Sequence, residues 1–236
     1  MLTIAKLSAW SINYYNDTAR AALDAQKAGG GLGEYYSEHD TRAPVWLCAG
    51  DARRAAELVG LSDLDRAGGQ AKTDVVERWL VGGESPNSAS GRGFRNGSVH
   101  GFDLTCCAPK SVSLIRAIRA DDVTDKAIAD AHTTAIAEAM ECLATHAGYT
   151  RMHNPATGEK DLVRLPGLVA IAYQHETSRA GDPHLHTHVI VPNRQARADG
   201  VLVSIDGTSL YHEGKAAGVI YQATLRRELH QSLGYE

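Results

Sequence analysis

The sequence predicts an α+β fold, a mainly antiparallel sheet of five to six strands flanked by long helices. Three observations predict it. Short runs with period-two alternation recur between turn signals rich in Gly, Pro, Asn and Asp. Two long alanine-rich stretches, 125–146 and 208–233, carry helical spacing instead. The strand-like runs are joined as hairpins, which link antiparallel neighbours.

Taken in order, Met1 to Leu7 alternates apolar and polar and reads as a first strand. Ser8 is a helix N-cap, and Ala9 to Ala28 follows with helical spacing, carrying Tyr14 and Tyr15. Neighbours on a helix point about 100° apart, so only one of this pair can face a site squarely. A glycine-rich break at 29–33 precedes a second pair, Tyr35 and Tyr36. Asp51 caps a short helix that ends before Gly60, and Lys72 to Leu80 reads as another, stopped by Gly82 and Gly83. Residues 84–98 form a long polar loop with Arg92 and Arg95. Val99 to Cys106 returns to strand, and its Asp103 needs a partner if that strand is buried. Pro109 ends the strand and a short helix follows. Thr124 is read as the cap of the helix over 125–146, whose Ile128, Ala131, Ala135, Ala139 and Leu143 trace an apolar stripe. Tyr149 to His153 and Leu162 to Leu165 flank a hairpin loop. Leu168 to His175 and Leu185 to Pro192 form a second hairpin, and Val201 to Ile205 a last strand. Thr208 or Ser209 opens the final helix, which ends at Gly234.

Composition narrows the classes. Hydrophobic residues make up 43% of the 236, enough for one domain with a sizeable core. A net charge of −4 argues against a strongly non-specific nucleic-acid binder but leaves room for a local basic cleft. The four cysteines show no C-x-x-C spacing and read as reduced thiols of a cytoplasmic protein. No apolar run of 18 or more residues marks a membrane segment, and no signal-peptide pattern opens the chain. The whole of 1–236 reads as one domain, cut at its C-terminal end from a larger protein.

The densest chemistry lies in H-E-T-S-R-A-G-D-P-H-L-H-T-H, His175 to His188, where four of the eleven histidines fall. On a strand, His184, His186 and His188 share one face, and Leu185, Thr187, Val189 and Val191 the other. Closing the hairpin brings His175 beside them. Three converging neutral imidazoles with open positions are how a catalytic metal is held. The donor set suits Zn, Ni or Mn and is soft for Mg. A metal-activated hydroxide would call for a carboxylate base beside it, but Glu176 points to the opposite face from His175. The other route is a protein nucleophile, for which the tyrosines are the candidates, with Asp103 to assist proton removal. Lys110, Arg179 and Arg194 flank the site segments and are expected to contact phosphates.

These residues resemble a family. The M-L-T-I start, the pair Tyr14-Tyr15, the second pair Tyr35-Tyr36, the segment G-F-D-L-T-C-C-A-P-K-S-V-S and the three-histidine motif are similar to the relaxase domain of MobF-type conjugative relaxases, the TrwC/TraI group of HUH endonucleases. The resemblance spans nearly the whole chain. It implies a palm-like sheet and a site-specific cut of one DNA strand at the origin of transfer of a plasmid or integrative element. It implies a 5′-phosphotyrosine intermediate, later rejoining, and a role in initiating conjugation. By motif, His175, His186 and His188 are the implied metal ligands and Tyr14 the main nucleophile, with Tyr15 its pair neighbour. Tyr35 or Tyr36 matches a second nucleophile, and Asp103 the acidic residue behind the histidines. The implied cofactor is a divalent ion, Mg or Mn in function, with Zn or Ni also able to bind. The implied partners are single-stranded or hairpin origin DNA and the accessory and coupling proteins of conjugation. Two rivals stand beside this reading: a module that holds an origin hairpin without cutting, and a rolling-circle replication initiator of the same superfamily. Initiators place their tyrosine after the histidines, whereas Tyr14 precedes them.

Overall fold

A computed structural model describes residues 1–8, 43–86, 91–119, 121–178 and 180–235. Tyr14, Tyr15, Tyr35, Tyr36 and Arg179 lie outside the described residues, as does the expected helix over 9–28.

The central sheet has five antiparallel strands: β1 (Leu2–Leu7), β2 (Val45–Gly50), β3 (Gly101–Cys107), β6 (Gly167–Thr177) and β7 (Pro183–Pro192). Their order is β1-β3-β7-β6-β2, so the histidine hairpin β6–β7 sits inside the sheet. Two small ribbons stand apart from it, β4 (Tyr149–His153) with β5 (Lys160–Arg164), and β8 (Gln195–Ala196) with β9 (Leu202–Val203). Helices α1 (Ala52–Val59), α2 (Asp63–Arg66) and α3 (Thr73–Glu77) follow β2. Helix α4 (Lys110–Arg119) follows β3, α5 (Asp122–Ala147) comes next, and α6 (Gly207–Leu233) is the last element.

Side-chain alternation sorts the sheet into two faces. One carries Leu104, Cys106, Leu168, Leu185, Val189 and Val191 against α5 and α6, whose Ile128, Ala135, Leu143, Leu210 and Leu225 complete the larger core. The other carries Trp46, Ile171, Tyr173 and Ile190 against Val59, Val76 and Trp79 of the short helices. Burying one such aliphatic side chain stabilises the fold by about 1.5–3 kcal/mol. Among the described residues the second core covers only part of its face. Toward the turn between β6 and β7 the same face becomes polar, and there the histidines stand.

Several boundaries differ from expectation, each for a local reason. The helix over 125–146 begins earlier: Asp121 caps it, accepting from Thr124 N at 2.8 Å, so Thr124 is a third-position residue and not the cap. The last helix is capped by Asp206, which accepts from Ser209 N and Oγ, in place of Thr208 or Ser209. The helix expected over 72–80 widens after Glu77 into a π-turn, Arg78–Gly82. Gly83 ends it at φ 70°, where a Cβ would come within 2.4 Å of Arg92 O. The expected strand over 201–205 shrinks to Leu202–Val203. Strand β2, whose V-W-L-C-A-G lacks alternation, was not foreseen.

Candidate functional site

The register of the β6–β7 hairpin places His175 directly opposite His186, and the neighbouring pair is Tyr173 with His188. Ring centres of His175, His186 and His188 lie 5.2, 5.6 and 5.2 Å apart pairwise. Alternation and hairpin closure alone therefore gather the three imidazoles, as read from the sequence. His175 is buried and His188 is about one-fifth exposed, so the cluster opens to solvent on one side. His184 joins it at the rim, its ring 4.8 Å from that of His186. Burial, then Lys110 and the chain's amino terminus, push the His184 pKa down.

Hydrogen bonds settle which ring nitrogen carries each proton. His188 Nδ1 lies 2.9 and 3.1 Å from the two oxygens of Asp103. A carboxylate only accepts, so Nδ1 bears the hydrogen and the lone pair of neutral His188 is on Nε2. His186 Nδ1 donates to the His184 carbonyl at 2.8 Å, with the same consequence. Asp103, 6% exposed on β3, also accepts from Thr105 Oγ1 at 3.2 Å. The buried aspartate thus has the partner that burial demands. Among the described residues no group of three or more His, Cys, Asp or Glu side chains stands ready-closed around a metal-sized position.

Other residues near the site have different work. Glu176 turns away from the histidines, as expected: Gln174 Nε2 donates to it, and Arg116 Nη1 lies 2.7 Å from its other oxygen. Arg116 also donates from Nε to Asp125 at 2.6 Å, tying α4 to α5. Lys110 Nζ donates to the Pro183 carbonyl at 2.9 Å and Ser113 Oγ accepts from Leu185 N at 3.0 Å. The A-P-K-S-V-S segment therefore clamps the start of β7, a role the sequence reading did not assign. Tyr173 shares the histidine face but is 1% exposed, and burial raises its pKa, so it packs. The two adjacent cysteines diverge, Cys106 into the core with its thiol pushed up to about 12 by burial.

Arg194 lies at the far end of β7, six residues beyond His188 and so at most about 20 Å along the strand. Its guanidinium stacks on Phe94 at 4.4 Å and donates to Ser204. It lines a cleft of 490 Å³ with Arg92, Arg151, Lys160 and Arg197, and a neighbouring one of 380 Å³ with Phe94 and Arg95. Burial, and after it the neighbouring Arg92, lower its pKa. Asp206 pairs with Arg151, and Asp199 with Arg197. This convergence of distant arginines was not visible in the sequence beyond Arg92, Arg95 and Arg194 taken singly.

Comparison with known proteins agrees with the architecture. Conjugative relaxase TrwC in complex with oriT DNA, in a metal-bound structure, superposes with a TM-score of 0.75 at 26% identity over all of this chain and 71% of that one. A TrwC complex with a 27-mer DNA comprising the recognition hairpin and the cleavage site gives 0.72 at 26% identity, over 100% and 70%. The multifunctional conjugation protein TraI of Escherichia coli is 34% identical over 223 residues, 89% of this chain, and its K12 counterpart 31%. The chain spans 12% of the length of these curated relatives. The TrwC relaxase model matches residues 10–236, so the chain belongs to the TrwC relaxase family.

Proposed function

We propose that this chain nicks and rejoins one strand of origin-of-transfer DNA through a tyrosine, with a divalent ion held by His175, His186 and His188. The observation that carries the reading is the gathering of three imidazoles on one sheet face, with His188 backed by Asp103. The donor set fits an ion. Three neutral imidazoles on one face are a donor set that would hold a divalent ion with positions left open. Their ring centres lie 5.2 to 5.6 Å apart. Both rings with assigned protons present Nε2 as the nitrogen that would hold the ion. Bound there, a divalent cation neutralises charge on the scissile phosphate.

The chain's own residues do the rest. Asp103 holds His188 in the ligating tautomer and orientation. The Tyr14 phenol gives up its proton as its oxygen bonds to phosphorus, a transfer the reaction needs because a free phenol, with a pKa of about 10, is protonated at neutral pH. The bond from phosphorus to the 3′ oxygen breaks, and that oxygen takes a proton, leaving a free 3′-hydroxyl and a 5′-phosphotyrosine. The ester keeps the energy of the broken phosphodiester, so the reverse attack rejoins the strand without a nucleotide cofactor. Tyr35 or Tyr36 serves a second transfer, and Tyr15, the pair neighbour of Tyr14, does not. Lys110, Arg179 and Arg194 with its cleft supply phosphate contacts to single-stranded and hairpin DNA. Accessory and coupling proteins of conjugation are the proposed wider partners.

The test mixes the chain with 5′- and 3′-labelled single-stranded oligonucleotides tiling the origin region of the element that encodes it, with Mn²⁺, Mg²⁺ or EDTA. A covalent adduct that needs the cation and is lost in Tyr14→Phe supports the reading. Sequence-specific retention of a hairpin with no adduct in any cation would replace it with the non-cutting module. Peptide mapping of the first adduct to Tyr35 or Tyr36 would move the nucleophile.

A further inference from the structure

Thr187 stands between His186 and His188 on β7 and points to the opposite face, into the core under α5 and α6. Its Oγ1 lies 2.9 Å from His132 Nε2 on α5, and His132 Nδ1 lies 2.8 Å from the Tyr221 hydroxyl on α6. His132 and Tyr221 are fully buried and Thr187 is 2% exposed. The Tyr221 ring meets the imidazole edge-on. Three elements thus meet through one polar chain inside a largely apolar layer of the described residues, behind the two site histidines of β7.

We propose that His132 is a positioning residue for His186 and His188, acting through Thr187 and braced by Tyr221. The inference rests on the ligand role proposed for those histidines. Stability does not call for the arrangement: an apolar trio of the same volume would fill the layer with no polar group to match. Apolar contact is non-directional, however, and lets a strand settle at a range of depths against its helices. Hydrogen bonds near 2.9 Å are directional and fix one depth. Both imidazole nitrogens are used, so a neutral ring, donating from one and accepting at the other, holds two hydroxyls at a set span. The helices, about the longest rigid bodies of the fold, then determine where the Cα of Thr187 lies. Its neighbours in sequence carry the imidazoles, so the pleat that aims them is set from behind. The clamp from Lys110 and Ser113 fixes only the start of the strand, at Pro183 and Leu185.

The experiment measures Mn²⁺ affinity by calorimetry and metal-free thermal midpoint by circular dichroism for the chain and for Thr187→Val, Thr187→Ser, His132→Leu and Tyr221→Phe. Valine keeps the shape and strand preference of threonine, so that variant folds even where His132→Leu does not. The expected result is a roughly tenfold or greater loss of Mn²⁺ affinity in Thr187→Val, of the size seen when supporting groups behind ligands are removed. Thr187→Ser, which keeps the hydroxyl, should bind within about twofold of the parent, and Tyr221→Phe should fall between them. Unchanged affinity in Thr187→Val, whatever its midpoint, overturns the proposal and leaves the network a packing feature. An equal loss in the serine variant overturns it as well. His188→Ala is the control: if the parent chain binds Mn²⁺ no better than this variant, the ligand reading itself fails, and the inference with it.

Discussion

At the scale of single residues, proton placement decides what each histidine can do. Asp103 accepts from His188 Nδ1, and the His184 carbonyl accepts from His186 Nδ1, so hydrogen bonds orient both rings. We expect His188→Ala or His186→Ala to abolish nicking and weaken Mn²⁺ binding, because two imidazoles cannot fix the ion. DNA affinity should fall much less, since phosphate contacts lie elsewhere. Full nicking by His188→Ala would refute the three-histidine assignment. Asp103→Asn keeps the shape but offers Nδ1 only one neutral acceptor. It should lower nicking about 10- to 100-fold while retaining measurable Mn²⁺ binding; loss of all Mn²⁺ binding would make Asp103 a ligand. These residues were legible in the sequence because alternation on a strand fixes which side chains share a face. His132 was not. It interrupts an alanine stripe on a helix, where a histidine looks like any other filler. Its signal was on the other strand, in Thr187 standing among Leu185, Val189 and Val191 on the inward face.

At the scale of elements, hairpins and caps place the site. The β6–β7 pair needs β2 to pass close by at its base, where Gly50 pairs with Gly167. A Cβ on Gly167 would lie 2.3 Å from Ala49 O and 3.2 Å from the Ala55 side chain. Gly167→Ala should therefore cost about 1–3 kcal/mol, read as a lower midpoint in urea with an unchanged slope. An unchanged midpoint would show that the β2 edge gives way freely. The cap of α6 offers a second test. Burial of Asp206 would raise its pKa, but bonds from Ser209 and Arg151 outweigh this and hold it below the usual carboxylate range. A depressed folded pKa gives stability that is present above the unfolded value of about 3.9 and is lost as pH falls through the folded one. Asp206→Ala should cost about 1–2 kcal/mol at pH 7. The difference from the parent should shrink below pH about 4; a gap that stays constant down to pH 2 would count against it. Both long helices and the hairpin were legible from periodicity. The exact caps were not, because several polar residues precede each helix and only packing selects one. Strand β2 was missed because an edge strand with apolar residues on both faces has no period to read.

At the scale of the whole molecule, charge and distance decide whether the proposed DNA partner can be held. The chain carries a net charge of −4, yet Arg92, Arg151, Lys160, Arg194 and Arg197 line one cleft. The sequence could not show this, since those side chains come from four separate segments that only the ribbons β4–β5 and β8–β9 bring together. Overall repulsion of a polyanion and a local cationic cleft are compatible when the cleft is within a Debye length, about 10 Å at 0.1 M salt, of the bound phosphates. Binding should then be strongly salt-dependent despite the acidic total, because each phosphate neutralised releases counterions. The cleft lies along β7 from the histidines, so on the proposed function one DNA molecule would contact both. We expect Arg194→Ala and Arg92→Ala each to reduce by about 1 the slope of log affinity against log salt for a hairpin oligonucleotide. The same variants should leave adduct formation on a short strand lacking the hairpin unchanged. Arg194→Lys keeps a charge but loses the stacking on Phe94, and should recover the slope without the full affinity. Arg179→Ala should instead flatten the slope for the short strand as well. Fluorescence anisotropy between 50 and 300 mM NaCl separates these outcomes. Equal slopes for the parent and Arg194→Ala on the hairpin would remove the cleft from the DNA interface and leave the histidine face as the place where phosphates bind.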